Sequence, residues 1–412
     1  ANASITMSIL LSHPTGNTFS RAAAEALHAH AMLREFHTCI AVGDGSSSPV
    51  TSKLFRQRYC PIPNHLIHTH PLRELLRLLT QKRGIFNSLR THETGALSVD
   101  KVYHGLDRKV AKALLKTETP PSAIYAYEDG ALRSFFAAKE RNITCIYDLP
   151  IGYWRAARRI QSEEAELLPE WAATMPVLKD STPKLERKDD ELRLADSIIV
   201  ASQFTANTLK ETPFNLPEPI IIPYGCPRPH ATVTPESSSK APLKVLYVGG
   251  LTQRKGIAYL LEAVEQLGSS VELTIIGKRV ADCKPLDAAL RKYNWIDSLP
   301  HSGILDAMRS HDVFVFPSLF EGFGLVLTEA LSQGLPIIAT DHTCAPDIIE
   351  DGKEGFIIPI RNADAIAAAL TSLQQDRPRL QAMKTHALKR AGEMGWQIYK
   401  DQLVKVVGHI IS

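Results

Sequence analysis

The sequence has few cysteines for its length, and their spacing suggests no disulfide pair. Its 412 residues include six cysteines, scattered from Cys39 to Cys344, with no C-x-x-C pair among them. This pattern excludes the dense disulfide framework of small secreted proteins and is typical of free thiols in a reducing compartment. We therefore expect a cytoplasmic protein.

Long apolar runs are also absent from the sequence. No uninterrupted run approaches the roughly 18–20 residues that an apolar helix needs to cross a bilayer. The first residues, ANASITMSILLSHPTG, lack the basic region and the long apolar core of a secretory signal. These features predict a chain that is soluble or that lies peripherally at the inner membrane surface.

A large excess of one charge is likewise missing. Lys and Arg number 47 against 44 Asp and Glu, a net charge of +3, and so small an excess predicts no nucleic-acid partner. The charges are nevertheless unevenly placed. Residues 51–117 hold thirteen basic and four acidic side chains, so this segment carries +9 and the remainder −6.

Short apolar runs alternate with longer amphipathic ones, a pattern typical of βαβ units and parallel sheets. We predict an α/β protein with two doubly wound, Rossmann-like domains that face a central cleft. The N-terminal domain is expected at 1–226, a Pro/Ser/Thr-rich linker at 227–242, the C-terminal domain at 243–390, and at 391–412 a helix that returns to the N-terminal domain. The predicted strands are 8–13, 122–128, 144–150, 197–204, 219–225, 244–250, 271–277, 312–318 and 335–340, and helices are predicted at 19–35, 257–267 and 303–310.

One segment, PSLFEGFGLVLTEALSQGLP (317–336), combines features that suit an anionic or hydroxylated ligand. A buried strand leads into a loop with Gly322 and Gly324, and a helix follows. The glycines would let backbone amides approach a ligand at the helix N-terminus. Glu321 and Glu329, with seven residues between them, could each accept hydrogen bonds from two neighbouring hydroxyls. Either carboxylate alone could instead only complement the helix dipole.

The E-x7-E spacing of this segment resembles the signature of retaining GT-B glycosyltransferases, above all family 4, the glycosyl transferases group 1. Three further stretches resemble the same family: VLYVGGLTQRKGIAYLLEAV (245–264), ADSIIVASQFTANTL (195–209) and IIIPYGCP (220–227). The resemblance implies transfer, with retention, of a sugar from a nucleotide-diphosphate sugar held by the C-terminal domain. The acceptor, a glycan, a lipid-linked sugar or a small molecule, would lie on the N-terminal domain.

The resemblance also implies roles for individual residues. Arg254 and Lys255 match the pair that neutralises the donor diphosphate, although the pair could instead be a solvated turn. Glu321 matches the residue that contacts the transferred sugar, and Glu329 the residue that binds the nucleotide ribose. The other expected donor-binding positions are Gly16, Gly250, Gly277, Gly322, Phe323, Gly324 and Leu325.

Two cations and a helix N-terminus can stabilise a leaving diphosphate without a metal ion. The chain contains no D-x-D triplet, the motif of metal-using glycosyltransferases, so we expect neither a metal nor a cofactor at the site. Cys60, His65, His68 and His70 lie within eleven residues and could suggest zinc. Their spacing matches no common zinc site.

Asp148 stands where many members of the family place a histidine that reaches the donor sugar. It could orient the acceptor or act as its general base, or it could cap the following helix. Glu128 and Asp129 end the preceding predicted strand and should face the same cleft. Asp148 and Glu128 are therefore the candidate acceptor-binding residues.

The basic segment contains PLRELLRLLTQKR (71–83), with Leu72, Leu75, Leu76 and Leu79 at helical spacing. Arg73 and Arg77 lie beside these leucines. Such a helix resembles a membrane-facing element, which makes an anionic membrane surface a candidate partner. The alternative is a helix whose leucines pack on the N-terminal domain while its arginines are solvated.

Two other functions remain open for this scaffold. One is a different enzyme of the GT-B fold, such as a nucleotide-sugar epimerase or a sugar phosphorylase. The other is an inactive GT-B module that binds a partner or a glycan. The combination of Arg254, Lys255, Glu321 and Glu329 favours a transferase over both.

Overall fold

A computed structural model describes residues 7–45, 58–233 and 241–412 of the chain. Residues 234–240 of the predicted linker lie outside the described residues. The strands of the N-terminal domain are β1 Ile9–Ser12, β2 Leu33–Thr38, β3 Val42–Asp44, β4 Tyr59–Pro63, β5 Ile67–Thr69, β6 Ala123–Tyr127, β7 Thr144–Leu149, β8 Ser197–Val200 and β9 Ile220–Ile221. Its helices are α1 Thr18–Ala29, α2 Leu72–Arg83, α3 Val99–Lys116, α4 Leu132–Glu140, α5 Trp154–Leu167, α6 Thr182–Leu194 and α7 Gln203–Thr208.

The C-terminal half repeats this alternation. Its strands are β10 Leu243–Val248, β11 Val271–Ile276, β12 Asn294–Ile296, β13 Val313–Phe316, β14 Ile337–Thr340 and β15 Gly355–Ile358. Its helices are α8 Ile257–Leu267, α9 Lys284–Lys292, α10 His301–Ser310, α11 Leu325–Ser332, α12 Ala345–Ile348, α13 Ala363–Gln375, α14 Arg377–Glu393 and α15 Trp396–Ile410. Among the described residues, no helix combines the length and the apolar composition that crossing a membrane requires.

Two large parallel sheets organise the molecule. The N-terminal sheet has the strand order β5-β2-β1-β6-β7-β8-β9, and the C-terminal sheet has the order β12-β11-β10-β13-β14-β15. In each sheet the order reverses beside the first strand, as in doubly wound folds whose ligands lie beyond the carboxyl ends of the strands. The predicted fold class, two doubly wound α/β domains, is confirmed.

The predicted helix at 19–35 is wrong in its second half. Helix α1 ends at Ala29, and Ala31 adopts a left-handed backbone with φ of 55°. The chain then turns back into the sheet as β2, which pairs with β1 in parallel. The alanine-rich sequence favours helix, but the core needs a strand beside β1, and packing overrides the local preference.

The two domains are in extensive contact. Helix α5 of the N-terminal domain packs Ala156, Ala157 and Ile160 in one apolar cluster with Leu319 and Phe320 of the C-terminal domain. At the other end of the chain, helix α15 lies against α1, where the Lys400 Nζ is 2.6 Å from a carboxylate oxygen of Glu25.

Candidate active site

The turn after β10 carries the two predicted cations. It forms a short 3-10 helix, Gln253–Lys255, in which the Arg254 amide donates to the Thr252 side chain at 3.3 Å. Gly256 follows with φ of 67°, and a Cβ there would lie 1.9 Å from the Pro317 carbonyl oxygen. Only glycine allows this approach, which brings the turn against the loop that follows β13.

Arg254 and Lys255 both contact Glu321 across this approach. The Arg254 Nη1 donates to Glu321 Oε1 at 2.9 Å and to the Phe320 carbonyl at 2.6 Å. The Lys255 ammonium forms an ion pair with the same carboxylate oxygen, and the Ser318 hydroxyl donates to it at 3.1 Å. The structure therefore joins three of the predicted catalytic residues in one cluster.

The cluster is buried, and its two cations favour the ionised form of Glu321. Glu321 is 8% exposed, and burial alone would raise the pKa of its carboxyl, but Lys255 and Arg254 outweigh this and hold the pKa below its usual value. Burial lowers the pKa of Lys255 despite the attraction of Glu321. The ammonium also lies 4.7 Å from the centre of the Phe316 ring, a favourable cation–π distance.

The predicted glycine loop forms part of the domain contact. A Cβ at Gly322 would lie 1.8 Å from the Pro150 carbonyl oxygen of the N-terminal domain. The Gly322 carbonyl accepts hydrogen bonds from the hydroxyls of Ser202 and Thr205, at 2.6 and 2.9 Å. The absence of a side chain at Gly322 is therefore required by domain packing, whatever its amide contributes to a ligand.

The rest of this loop leads into helix α11. Phe323 is buried, and its ring lies edge-to-face with Tyr224 at 5.1 Å. Gly324 has φ of 90° and precedes Leu325, the first residue of the helix. The N-terminus of α11 thus follows the Glu321 cluster directly, as the sequence predicts.

Glu329 lies in a cavity of about 450 Å³ between the two domains. Its carboxylate is 3.1 Å from the His301 Nε2. Thr18 and Arg21, on the first turn of α1, line the N-terminal side of this cavity, and Trp396 lines another part. Glu329 is therefore close to Glu321 in the sequence, but it lines a different cavity from the one that Arg254 lines.

A second interdomain cavity, of about 180 Å³, joins Arg254 to the predicted acceptor residue Glu128. Glu128 pairs with the Lys188 ammonium at 3.0 Å. Burial raises the pKa of Glu128 to about 7, although Lys188 favours the charged form. Gln161 of α5 also lines the cavity, and its buried amide oxygen and nitrogen have no hydrogen-bond partner. Buried amides are normally satisfied, so this wall is suited to a polar ligand.

Asp148 does not cap a helix. It lies inside β7, and the residue that caps α5 is Tyr153, which makes no side-chain capping bond. The capping interpretation is therefore wrong. The carboxyl of Asp148 is 2% exposed, accepts from the Tyr125 hydroxyl at 2.6 Å and has a pKa raised by burial to about 7. It lines neither of the two interdomain cavities.

The remaining predicted glycines occupy strand ends. Gly16 has φ of 55°, and its amide donates to the His13 ring at 3.1 Å, two residues before Thr18 of the larger cavity. A Cβ at Gly277 would lie 1.8 Å from the Gly249 carbonyl oxygen. The Gly250 carbonyl accepts from the Tyr247 hydroxyl at 3.0 Å. Each lies at a carboxyl edge of its sheet.

Helix α2 divides its leucines between two environments. Leu75 and Leu78 pack against the core of the N-terminal domain, whereas Leu72 and Leu79 are 74% and 52% exposed. Leu76 is also exposed, as are Ile85, Phe86 and Leu89 beyond the helix.

Arg73 and Arg77 of α2 are half-buried and bonded within the fold, so they are not the solvated arginines of the packed-helix alternative. The Arg77 guanidinium binds the buried Glu74 through two hydrogen bonds of 2.7 and 2.8 Å. The Arg73 Nη1 donates to the Lys101 carbonyl at 2.7 Å.

The cavity-lining residues that the sequence analysis did not assign include Arg21, Gln161, Lys188 and His301. Lys188 stands within the charged run LERKDDE, which reads as a solvated helix face. Gln161 and His301 carry no local pattern. Arg21, next to the predicted Gly16 loop, could have been found by placing the start of α1 at the carboxyl edge of the sheet.

Part of the chain matches a known family of proteins. Residues 234–390 match the family model described as Glycosyl transferases group 1. The chain is 31% identical over 172 residues to the phosphatidyl-myo-inositol mannosyltransferase of Mycolicibacterium smegmatis, covering 39% of this chain and 44% of that protein. It is 31% identical over 182 residues to the amylovoran biosynthesis glycosyltransferase AmsK of Erwinia amylovora, covering 38% of this chain and 44% of that protein. The chain thus spans less than half the length of these curated relatives.

Solved structures match over nearly the whole chain. Sucrose-phosphate synthase from Thermosynechococcus elongatus aligns with a TM-score of 0.64 and 18% identity over 98% of both chains. Anabaena HepE in complex with UDP aligns with a TM-score of 0.61 and 14% identity, over 98% of this chain and 100% of that one. Such identities establish the fold alone, which is GT-B. The match of residues 234–390 to the glycosyl transferases group 1 model confirms, over that part of the chain, the family resemblance predicted from the sequence.

Proposed function

We propose that this protein is a glycosyltransferase that moves a sugar from a nucleoside-diphosphate sugar to an acceptor hydroxyl, with retention and without a metal ion in the donor site. The observation that carries the proposal is the convergence of Arg254 and Lys255 on Glu321 at the domain boundary. Two cations share one carboxylate there, so the cluster keeps a net positive charge. A diphosphate is the ligand chemistry that such a cluster and the nearby start of α11 would favour.

In this proposal the donor exchanges partners within the cluster. The diphosphate takes the two cations, and Glu321 is released to accept hydrogen bonds from the sugar hydroxyls. As the bond between the anomeric carbon and the diphosphate oxygen breaks, Arg254 and Lys255 stabilise the negative charge that develops on the leaving oxygen. The acceptor hydroxyl oxygen attacks the anomeric carbon from the face that the diphosphate leaves, and its proton passes to the departing diphosphate oxygen.

The two cavities divide the substrates between them. The larger one, which contains Glu329 and His301, would hold the nucleoside, with the Glu329 carboxylate on the ribose hydroxyls. The smaller one, which joins Glu128, Lys188 and Gln161 to Arg254, would hold the acceptor sugar. Arg254 lines the acceptor cavity and also binds Glu321, so it stands where the two substrates must meet.

A donor panel tests the proposal. Purified protein is incubated with UDP-, GDP- and ADP-sugars, and released nucleoside diphosphate and sugar products are measured with and without candidate glycan acceptors. A transferase releases nucleoside diphosphate from a preferred donor, slowly to water and faster to an acceptor. Conversion of the donor to an epimer without release would identify an epimerase instead, and nucleotide binding without turnover would identify an inactive module.

We further propose that the exposed apolar surface formed by Leu72, Leu76, Leu79, Ile85 and Phe86 contacts an anionic membrane. Lys82 and Arg83 are exposed at the end of α2, beside these apolar side chains. Apolar side chains beside cations suit an interface with anionic lipid, and each cation near such a leaflet contributes about 1 kcal/mol. Lipid-borne acceptors would then reach the N-terminal domain from this side.

Co-sedimentation with liposomes tests the membrane contact. The protein should bind anionic but not neutral vesicles, and binding should fade as salt rises. A double change of Lys82 and Arg83 to Glu should abolish it. Arg73 and Arg77 are unsuitable for this test, because their contacts within the fold would be lost as well. Equal binding to neutral vesicles, or none at low salt, would exclude the proposed contact.

A further inference from the structure

The edge of the N-terminal sheet places four potential metal ligands on one face. Strands β2 and β5 pair in parallel with His37 opposite His68. Side chains two residues apart on a strand point to the same face, so Glu35 accompanies His37. His70, directly after β5, stacks on the His37 ring at 5.6 Å, and His68 stacks on it at 4.8 Å.

The distances between these groups are close to those of a metal site. Glu35 Oε2 is 2.9 Å from His37 Nε2, and one ligand atom from each of Glu35, His37 and His68 lies within 4.8 Å of the others. Tetrahedral zinc with bonds of about 2.0–2.2 Å separates its ligand atoms by about 3.3–3.6 Å. A small rotation of the exposed His68 ring would close the remaining gap.

We propose that Glu35, His37 and His68 bind a divalent transition-metal ion of the zinc class. Two imidazoles and one carboxylate form a common three-residue zinc ligand set, which leaves a fourth position to solvent or another ligand. The site is separate from the Glu321 cluster and has no part in the proposed transfer chemistry.

His70 has the position of a supporting residue for this site. Its Nε2 lies 3.4 Å from His37 Nδ1, the ring nitrogen that faces away from Glu35. A metal-bound histidine usually donates its other ring N–H to a neighbouring acceptor, which fixes the orientation of the ring.

The ion would join the edge strand to the sheet. β5 has only three residues, and after Pro71 the chain continues directly as α2. A metal held between β2 and β5 would therefore fix the start of the helix that carries the exposed leucines. The ligand set differs from the sequence hypothesis of Cys60, His65, His68 and His70, because the structure places the ligand atoms of Glu35 and His37, and not those of Cys60 or His65, beside His68.

Titration of the full-length, EDTA-treated protein with Zn²⁺ and Co²⁺ tests the proposal. Calorimetry should show one equivalent of Zn²⁺ bound, and Co²⁺ should give the intense visible bands of a tetrahedral site with nitrogen ligands. His68→Ala should remove the Co²⁺ bands and weaken Zn²⁺ binding by at least about tenfold, and His70→Ala should weaken it by about 10–100-fold, the range for supporting residues. His68 is exposed, so its replacement leaves the fold intact, as circular dichroism can verify.

Two matched variants serve as controls. His65→Ala removes an exposed histidine three residues before His68, and His92→Ala removes the imidazole from a second His/Glu/Asp group formed with Glu93 and Asp180. Both should bind Zn²⁺ as the wild type does. No stoichiometric binding by the wild type, or equal losses in His65→Ala or His92→Ala and His68→Ala, would overturn the proposal.

Discussion

Replacement of Lys255 by alanine tests the proposed leaving-group stabilisation most directly. The ammonium is largely buried, pairs with Glu321 and leaves Arg254 as the other cation of the cluster. Loss of one charge partner for a developing oxyanion in a water-excluded site typically lowers turnover by 10²–10³, or about 2.7–4 kcal/mol. We therefore expect Lys255→Ala to lower turnover at saturating donor by about a hundredfold or more.

The same change should alter the pH dependence of the residual activity. Lys255 is the strongest influence that holds the pKa of Glu321 below its usual value against the effect of burial. Without the ammonium that pKa rises, so the protonated fraction of Glu321 appears at a higher pH than in the wild type. Residual activity should therefore fall earlier as the solution is acidified.

The assay is release of nucleoside diphosphate from the preferred donor at saturating concentration, followed from pH 5 to 8. Lys255→Arg, which keeps the charge, should retain more activity than Lys255→Ala. Lys244→Ala removes an exposed lysine at the opposite end of β10 and should behave as the wild type. If the turnover of folded Lys255→Ala is within about threefold of the wild type, Lys255 does not stabilise the leaving diphosphate.

Four further variants separate the remaining roles. Glu329→Ala should weaken binding of the donor and of the free nucleoside diphosphate alike, by about 1.5–3 kcal/mol. Glu321→Ala should mainly weaken binding of donors that carry the sugar. Calorimetry that shows equal losses for both ligands in both variants would contradict the assignment. If Asp148 orients or deprotonates the acceptor despite its burial, Asp148→Asn should slow transfer while sparing donor affinity, and an unchanged rate would remove Asp148 from the reaction. Burial raises the pKa of Asp148 from 3.8 to about 7, so its contribution to the free energy of unfolding falls as pH rises through that window. Chemical denaturation should therefore show that the stability of Asp148→Asn depends less on pH there than that of the wild type. In a His68→Ala background, which lacks the proposed metal site, EDTA should leave turnover unchanged, and its loss would show that donor chemistry needs a metal.

The C-terminal domain was predictable because its strands are apolar on both faces. β10, β11, β13 and β14 are almost entirely buried, so each reads as a short apolar run between polar loops. Helix α8 matches its predicted bounds, since Gly256 and Gly268 flank it. β2, LREFHT, was not predicted as a strand. Four of its six residues are polar, so it does not read as an apolar run.

The site was predictable to the extent that its residues form one contiguous pattern. Glu321 and Glu329 belong to one segment, and the family resemblance assigned Arg254 and Lys255 to the same donor site. Gln161 could not be found this way. Gln161 lies in the amphipathic helix α5. Only the packing of α5 against the C-terminal domain places it in the cavity that Arg254 also lines.

The turn that carries the two cations is held by both domains. Gln253, the residue before Arg254, donates through its amide side chain to Glu164 of α5 at 2.8 Å and through its backbone to the Thr174 hydroxyl at 2.9 Å. Glu164 is fully buried and also binds the Arg361 guanidinium of the C-terminal domain at 2.8 Å. A charged hydrogen bond that is buried on both sides is costly to break. Any movement of one domain against the other would therefore move or break the support of the turn for which we propose diphosphate binding, and would shift Arg254 and Lys255 with it.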